Sequence, residues 1–385
     1  MKKGWTLLLA AMLLLSGCTT MLERDYVSSA RHVEYHVDDD PSALQAESYQ
    51  GLVSALLYFV GEHEETGVVH LSNYVGDVGA DLEKACAEVM QEDPLGAYAL
   101  KNIEHTHSRI VSYYEVDQKF ENTRTKEELD ALRTVGSLQT LLQIAGRSMS
   151  RYESGCAVGI NYYYADESLV LTGLRQRWLD APQTLVRPEV RMKTYPESGP
   201  SRIVEFTFLW PEDVESLEAR SSTTVAEAKR FLEELTPPET GMDVPYLASV
   251  LRERVTLDEE NGGDGAYHAL VEGSASKRGM TRALKLLCQT AEIEATVAEG
   301  WRNGNAAYWL ILPMEGEYTH LDPNLDVPGY YADESFRDLG YEWSTERYQP
   351  CAYEKLPEFE PEIGEVQENG EATEPTETMT SETEE

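Results

Sequence analysis

Residues 266–326 read AYHALVEGSASKRGMTRALKLLCQTAEIEATVAEGWRNGNAAYWLILPMEGEYTHLDPNLD. The run opens with Tyr267-His-Ala-Leu-Val-Glu-Gly273 and passes through Ser274-Ala-Ser-Lys-Arg-Gly279 into a helix carrying Leu284, Leu287 and Cys288. It continues through Ile293–Gly300 and Ala306–Leu312 and closes with Glu315-Gly-Glu-Tyr-Thr-His-Leu-Asp-Pro-Asn-Leu-Asp326.

This order resembles the core of a bacterial transglutaminase-like domain, a papain-like fold. In that family a loop of the form ALVEGKAxC delivers a Cys to the start of a helix. A strand carrying HAWN then supplies the His, and a strand ending WYHVDPTWD supplies the Asp. Ala269-Leu-Val-Glu-Gly273 matches the loop, so the nucleophile position falls on Lys277. Counting back from Asp322-Pro323 through Glu315-Gly316, Trp309 matches the family Trp and the base position falls on Ala307. The resemblance covers residues 240–350 and implies a degenerate triad of Lys277, Ala307 and Asp322, in which Asp322 alone survives.

The residues themselves argue against acyl transfer. That reaction needs a thiolate and a base within hydrogen-bond reach, with the base oriented by a third group. Lys277 is no thiol and carries the wrong charge for a helix N-terminus, and Ala307 cannot move a proton. Cys288 lies about 16 Å further along the predicted helix at 1.5 Å per residue, where it reads as a small core residue. His320 matches a structural His of the family motif, and His268 is the other histidine of this stretch. A nucleophilic Lys277 would need a buried site to depress its pKa, whereas Ser276-Lys277-Arg278 is polar. The expectation is a non-catalytic binding or structural module. The alternative is an active hydrolase or peptidase with rearranged residues.

At the other end, Lys2 and Lys3 precede an apolar run, Trp5–Leu15, that is short for a membrane span. Leu15-Ser-Gly-Cys18 resembles the lipobox of bacterial lipoproteins. That resemblance implies cleavage before Cys18, acylation of its sulfur (diacylglycerol, palmitate) and an extracytoplasmic protein held to the cell membrane by buried acyl chains. Among 385 residues, 69 acids against 32 Lys and Arg give a formal charge of −37, which argues against nucleic acid and against electrostatic adhesion to anionic lipid. The partners expected are the membrane through Cys18 and an envelope protein or cell-wall fragment.

The expected organisation is a signal peptide over 1–18, a tether over 19–48, an N-terminal α+β domain over 49–236, the transglutaminase-like domain over 240–353 and a disordered acidic tail over 356–385. Apolar spacing predicts helices over Tyr49–His63, Asp81–Met90, Lys126–Arg151, Thr224–Leu235 and Asp243–Thr256. Strands are predicted over Gly67–Leu71, Ile110–Val116, Val158–Tyr164 and Arg202–Trp210. Tyr162-Tyr-Tyr164 reads as part of a core strand, the alternative being a carbohydrate-stacking platform. Pro237–Gly241 cannot continue a helix and serves as a linker. The loop Asp258–Gly265 fails the calcium-loop pattern, and the chain shows no zinc spacing and no phosphate-cradling motif. No metal and no cofactor are expected. The tail holds eleven Glu and no basic residue, too polar to offset chain entropy. Cys86, Cys156, Cys288 and Cys351 are expected to be free, buried thiols.

Overall fold

The computed structural model describes residues 43–236 and 243–356. Cys18 with its signal peptide, most of the expected tether, the Pro237–Gly241 linker and the tail beyond Leu356 lie outside the described residues.

The architecture mixes helices and sheets, as expected. The first sheet holds β1 (Ala43–Ala46), β2 (Thr66–Ser72), β3 (Leu100–Ile110) and β4 (Tyr113–Asn122) in the order β1-β2-β4-β3. Only the β1–β2 pair is parallel. Helices α1 (Tyr49–Gly61), α2 (Val78–Gln91) and α3 (Pro94–Ala99) start at Ser48, Asp77 and Asp93, whose side chains accept backbone N–H bonds of the first turn. Leu52, Leu56, Val60, Leu82 and Val116 form the core between these helices and the sheet.

A short helix α4 (Lys126–Asp130) leads to the second sheet. There β5 (Arg133–Val135), β6 (Gly155–Ile160), β7 (Glu189–Tyr195) and β8 (Arg202–Leu209) run in the order β5-β6-β8-β7. Helices α5 (Leu138–Ser150), α6 (Glu167–Leu179) and α7 (Val214–Glu233) accompany it. After α8 (Val244–Arg254), β9 (Thr256–Leu257) pairs with β10 (Ser274–Ala275), and α9 (Lys277–Thr290) enters the third sheet. That sheet is antiparallel throughout, β13-β12-β11-β14, made of β11 (Thr296–Arg302), β12 (Asn305–Met314), β13 (Glu317–Leu321) and β14 (Tyr341–Glu342), with α10 (Asp333–Asp338) between the last two.

The buried apolar residues do not divide at the expected linker. One cluster runs from Val135 through Leu141, Trp178 and Phe206 to Leu247, Leu284, Leu287, Leu310 and Tyr330. Burial of each such side chain contributes about 1.5–3 kcal/mol, so the second and third sheets share their main stabilising term through α9.

Arg282 of α9 reinforces that union. It is 0% exposed and donates to the carbonyls of Thr184 (2.6 Å), Ala181 (3.1 Å), Trp178 (3.3 Å) and Leu185 (3.4 Å). Its guanidinium lies 4.1 Å from the centre of the Trp178 ring. The acceptors belong to the C-terminal end of α6 and the turn after it, the negative end of that helix dipole. Burial pushes the Arg282 pKa down to about 9, which leaves it charged at neutral pH.

Several local expectations are corrected. The predicted strand Ile110–Val116 is a hairpin, with Ile110 opposite Tyr113 and Val111 at φ 29; neither Gly nor Asn marks that turn. The predicted helix Lys126–Arg151 is broken. Thr125 and Glu128 form a capping box for α4, Thr134 and Val135 pair in parallel with Gly159 and Ile160, and Ser137 caps a new helix. Of Tyr162-Tyr-Tyr164 only Tyr163 is buried, with Tyr162 and Tyr164 75% and 82% exposed, because the strand ends at Ile160. Ala43–Ala46 is a paired strand where tether was expected. Helix α7 begins ten residues earlier than predicted, at Val214, with Asp213 as its cap.

Candidate functional site

The site begins where Gly273, at φ 72, ends the π-helical turn His268–Glu272 and lets the chain swing into β10. Ser276 then caps α9 by accepting the Gly279 N–H at 3.3 Å, and Lys277 is the first helical residue. Gly279 permits a close approach: a Cβ there would stand 2.4 Å from the Gly263 carbonyl oxygen. Strand β12 carries Ala307, 4% exposed, and the chain leaving β13 carries Asp322, 3% exposed.

Lys277, Ala307 and Asp322 line one cavity of about 200 Å³, together with Arg302, Asn303, Asn305, Ala306 and Asn324. The fold thus brings the three sequence-predicted positions together from three separate elements. Asp322 faces no imidazole there. Its Oδ2 accepts from the Tyr341 hydroxyl, and its Oδ1 accepts from the Asn324 backbone N–H and from Asn324 Nδ2, both at 2.7 Å. Burial holds the Asp322 pKa above the usual carboxylate value, opposed by those bonds. Burial and the adjoining carboxylate push the Tyr341 phenol upward. Asn324 Nδ2 also reaches Thr281 Oγ1 (3.3 Å) and the Lys277 carbonyl (3.4 Å), tying the aspartate segment to the first turn of α9.

The acidic loop that failed as a calcium site closes over the start of α9. Glu259 Oε1 accepts the Lys277 N–H at 2.7 Å, so a carboxylate from the chain itself occupies the positive end of the helix. Asp264 accepts from Ser276 Oγ at 2.6 Å and ion-pairs with Arg278. Asp258 accepts from the N–H groups of Glu260 and Asn261, bonds that lower its pKa and fix the loop.

The other chemistry-bearing residues lie away from the cavity. His320, 0% exposed, accepts from Trp309 Nε1 at its Nδ1 (2.9 Å), and its Nε2 stands 2.9 Å from Asp333 Oδ1. Indole nitrogen only donates, so Nδ1 is the unprotonated nitrogen and Nε2–H donates to Asp333. Cys351 completes a group in which His, Asp and Cys offer atoms within 4.8 Å of one another. The group suits neither a metal nor a thiolate. Nε2 has no free lone pair for a cation, and neither ring nitrogen can take the thiol proton. Burial pushes the Cys351 thiol up to about 12. Cys288 is likewise 0% exposed and pushed up to about 12. His268 stands 4.0 Å from Glu272 and does not line the cavity. Cys86, Cys156, Cys288 and Cys351 are all free, and all but half-buried Cys156 are buried.

Arg302, Tyr341, Asn324 and Glu259 did not emerge from sequence reasoning. The spacing Asp322-Pro-Asn324 is a turn signal that could have found Asn324; Tyr341 reaches Asp322 only because β14 pairs with β11.

No family model and no curated protein matches the chain. Among solved structures, it is similar to a Cytophaga hutchinsonii chain assigned as a cysteine protease, with 10% identity and a TM-score of 0.24, covering 40% of this chain and 65% of that one. It is also similar to a TGase, with 11% identity and a TM-score of 0.23, covering 49% of this chain and 57% of that one. The chain therefore spans less than two thirds of either.

Proposed function

We propose that the protein is an extracytoplasmic lipoprotein, held to the cell membrane through Cys18, whose transglutaminase-like segment is a non-catalytic binding module of the cell envelope. One observation carries the reading. The cavity shared by Lys277, Ala307 and Asp322 is lined by Lys, Arg, Asn, Ala and Asp side chains, with no thiol, hydroxyl or imidazole among them. Acyl transfer requires a nucleophile and a base in contact, and Asp322, which would orient the base, is engaged by Tyr341 and Asn324 instead. The lipobox-like Leu15-Ser-Gly-Cys18 supports the anchor. A rearranged hydrolase built on Cys351 and His320 would have to break the Trp309 bond that fixes the tautomer.

The test is turnover by the full-length protein on activated esters and on amine incorporation into glutamine peptides. The expected result is no rate above background. A rate abolished by Asp322→Ala or Lys277→Ala would sink the non-catalytic reading. For the anchor, Cys18→Ser should abolish metabolic lipid labelling, and label retained in that variant would refute acylation at Cys18.

A further inference from the structure

We propose that the cavity between Lys277 and Asp322 binds a small ligand bearing a carboxylate next to an amide, the chemistry of a peptide C-terminus. The proposal rests on the non-catalytic reading above and supplies that module with a ligand class.

Two cations, Lys277 and Arg302, line the cavity without a close ion pair. Arg302, at the end of β11, donates from Nε to the Leu339 carbonyl (3.4 Å) and lies 5.2 Å from the Tyr341 ring centre. Among the described residues neither Arg302 nor Lys277 forms an ion pair, although acids outnumber bases 69 to 32 in the chain. The nearby Glu259 carboxylate bonds the Lys277 backbone N–H. The single acid in the lining, Asp322, is buried with both oxygens occupied. The wall therefore carries two cations against one buried carboxylate, whose charge Arg302 also feels.

A guanidinium offers a planar fork to a carboxylate, and an ammonium adds a compact charge beside it. Asn303 and Asn305, also in the lining, each offer donors and an acceptor that suit the amide of the same ligand. Ala306 and Ala307 leave room, since a methyl stands at the position where a base would otherwise fill the space. A cavity of about 200 Å³ equals roughly six or seven waters at about 30 Å³ each. That accommodates one terminal residue.

The experiment is calorimetric titration of the full-length protein with N-acetylglycine, N-acetylglycinamide and inorganic phosphate. N-acetylglycine should bind at one site, with the amide and phosphate each at least about 10-fold weaker. Lys277→Gln and Arg302→Gln should each weaken N-acetylglycine by about 10-fold, with circular dichroism and Tm unchanged. Asn305→Asp, on an exposed residue, supplies an independent variant and should also weaken it. Absence of saturable N-acetylglycine binding, or binding indifferent to all three substitutions, overturns the proposal. Equal binding of the neutral amide overturns the anionic requirement, and equal or tighter phosphate binding overturns the peptide-carboxylate class. A null titration leaves the non-catalytic reading to its own turnover assay.

Discussion

Asp322 and Asp333 lie eleven residues apart, both beside the aromatic cluster of Trp309, Phe336 and Tyr341, and they have opposite company. Asp333 holds an imidazole and has a thiol nearby, yet Trp309 fixes the ring in a tautomer that can neither accept the thiol proton nor ligate a metal. Asp322 lies in a cavity next to the start of a helix, where chemistry could be done, and has a phenol and an amide for partners. The residue types that catalyse are present in this segment, but they are sealed in its core. Reactivity is decided by access and by the direction of each N–H, not by inventory.

The contrast can be broken at its strongest point first. His320→Ala removes a ring stacked on Phe336 at 4.5 Å and leaves the Trp309 N–H and the Asp333 carboxylate without their partner. A loss of about 3–5 kcal/mol is expected from the cavity and the orphaned groups together, read from urea unfolding. A change below 1 kcal/mol would mean that the ring is not the centre of that cluster.

Tyr341→Phe deletes one of the bonds that hold Asp322, and a cost of about 1–3 kcal/mol is expected. The same variant should leave the Trp309–His320 bond intact, so hydrogen exchange at the Trp309 indole N–H should stay slow. A collapse of both would merge two sites that are treated as separate.

Protonation sharpens the comparison further. Burial holds the His320 pKa below its ordinary value, outweighing the pull of Asp333. As pH falls from about 6.5 toward the lower folded value, the unfolded chain gains a proton that the native one refuses, so stability falls. For Asp322, raised by burial, the native chain takes up its proton first, and acid relatively favours the fold. The wild type should lose urea resistance between pH 7 and 5.5, by at most about 1.4 kcal/mol per pH unit from this one group, and His320→Gln should flatten that slope. An unchanged slope in the variant would assign the effect elsewhere.

The smallest effect is expected at the helix start. Lys277→Cys should give a thiol more accessible than Cys288, but with Glu259 on the same N–H its pKa should stay near the ordinary value of about 8.5. Adding Glu259→Gln removes the carboxylate charge from the helix end, and adding Ala307→His places an imidazolium opposite; each should lower the pKa. The pH dependence of alkylation at residue 277 reports it, and a flat response to both additions would dismiss the three positions as one site.

Much of this was legible in the chain. The loop before α9, the start of that helix at Lys277 and the segment carrying Asp322 are local patterns, readable because neighbouring residues create them. Tyr341, Arg302 and Glu259 act on the site through long-range pairing, which no periodicity reports. The Val111 turn lacks the glycine or asparagine that would announce it, and the stripe from Leu129 to Ala145 keeps helical spacing although Gly136-Ser137 restarts the helix in the middle. Cys18 rests on sequence alone.

Arg282 also sets how far this segment could be transplanted. Its four carbonyl acceptors and the ring beneath it all come from residues 178–185, upstream of the 237–242 interval. A graft beginning at Asp243 would carry a bare cation into a dry interior, with no carbonyl acceptors to receive its N–H groups. The helix with its arginine and the distant turn that solvates it therefore form one transplantable unit.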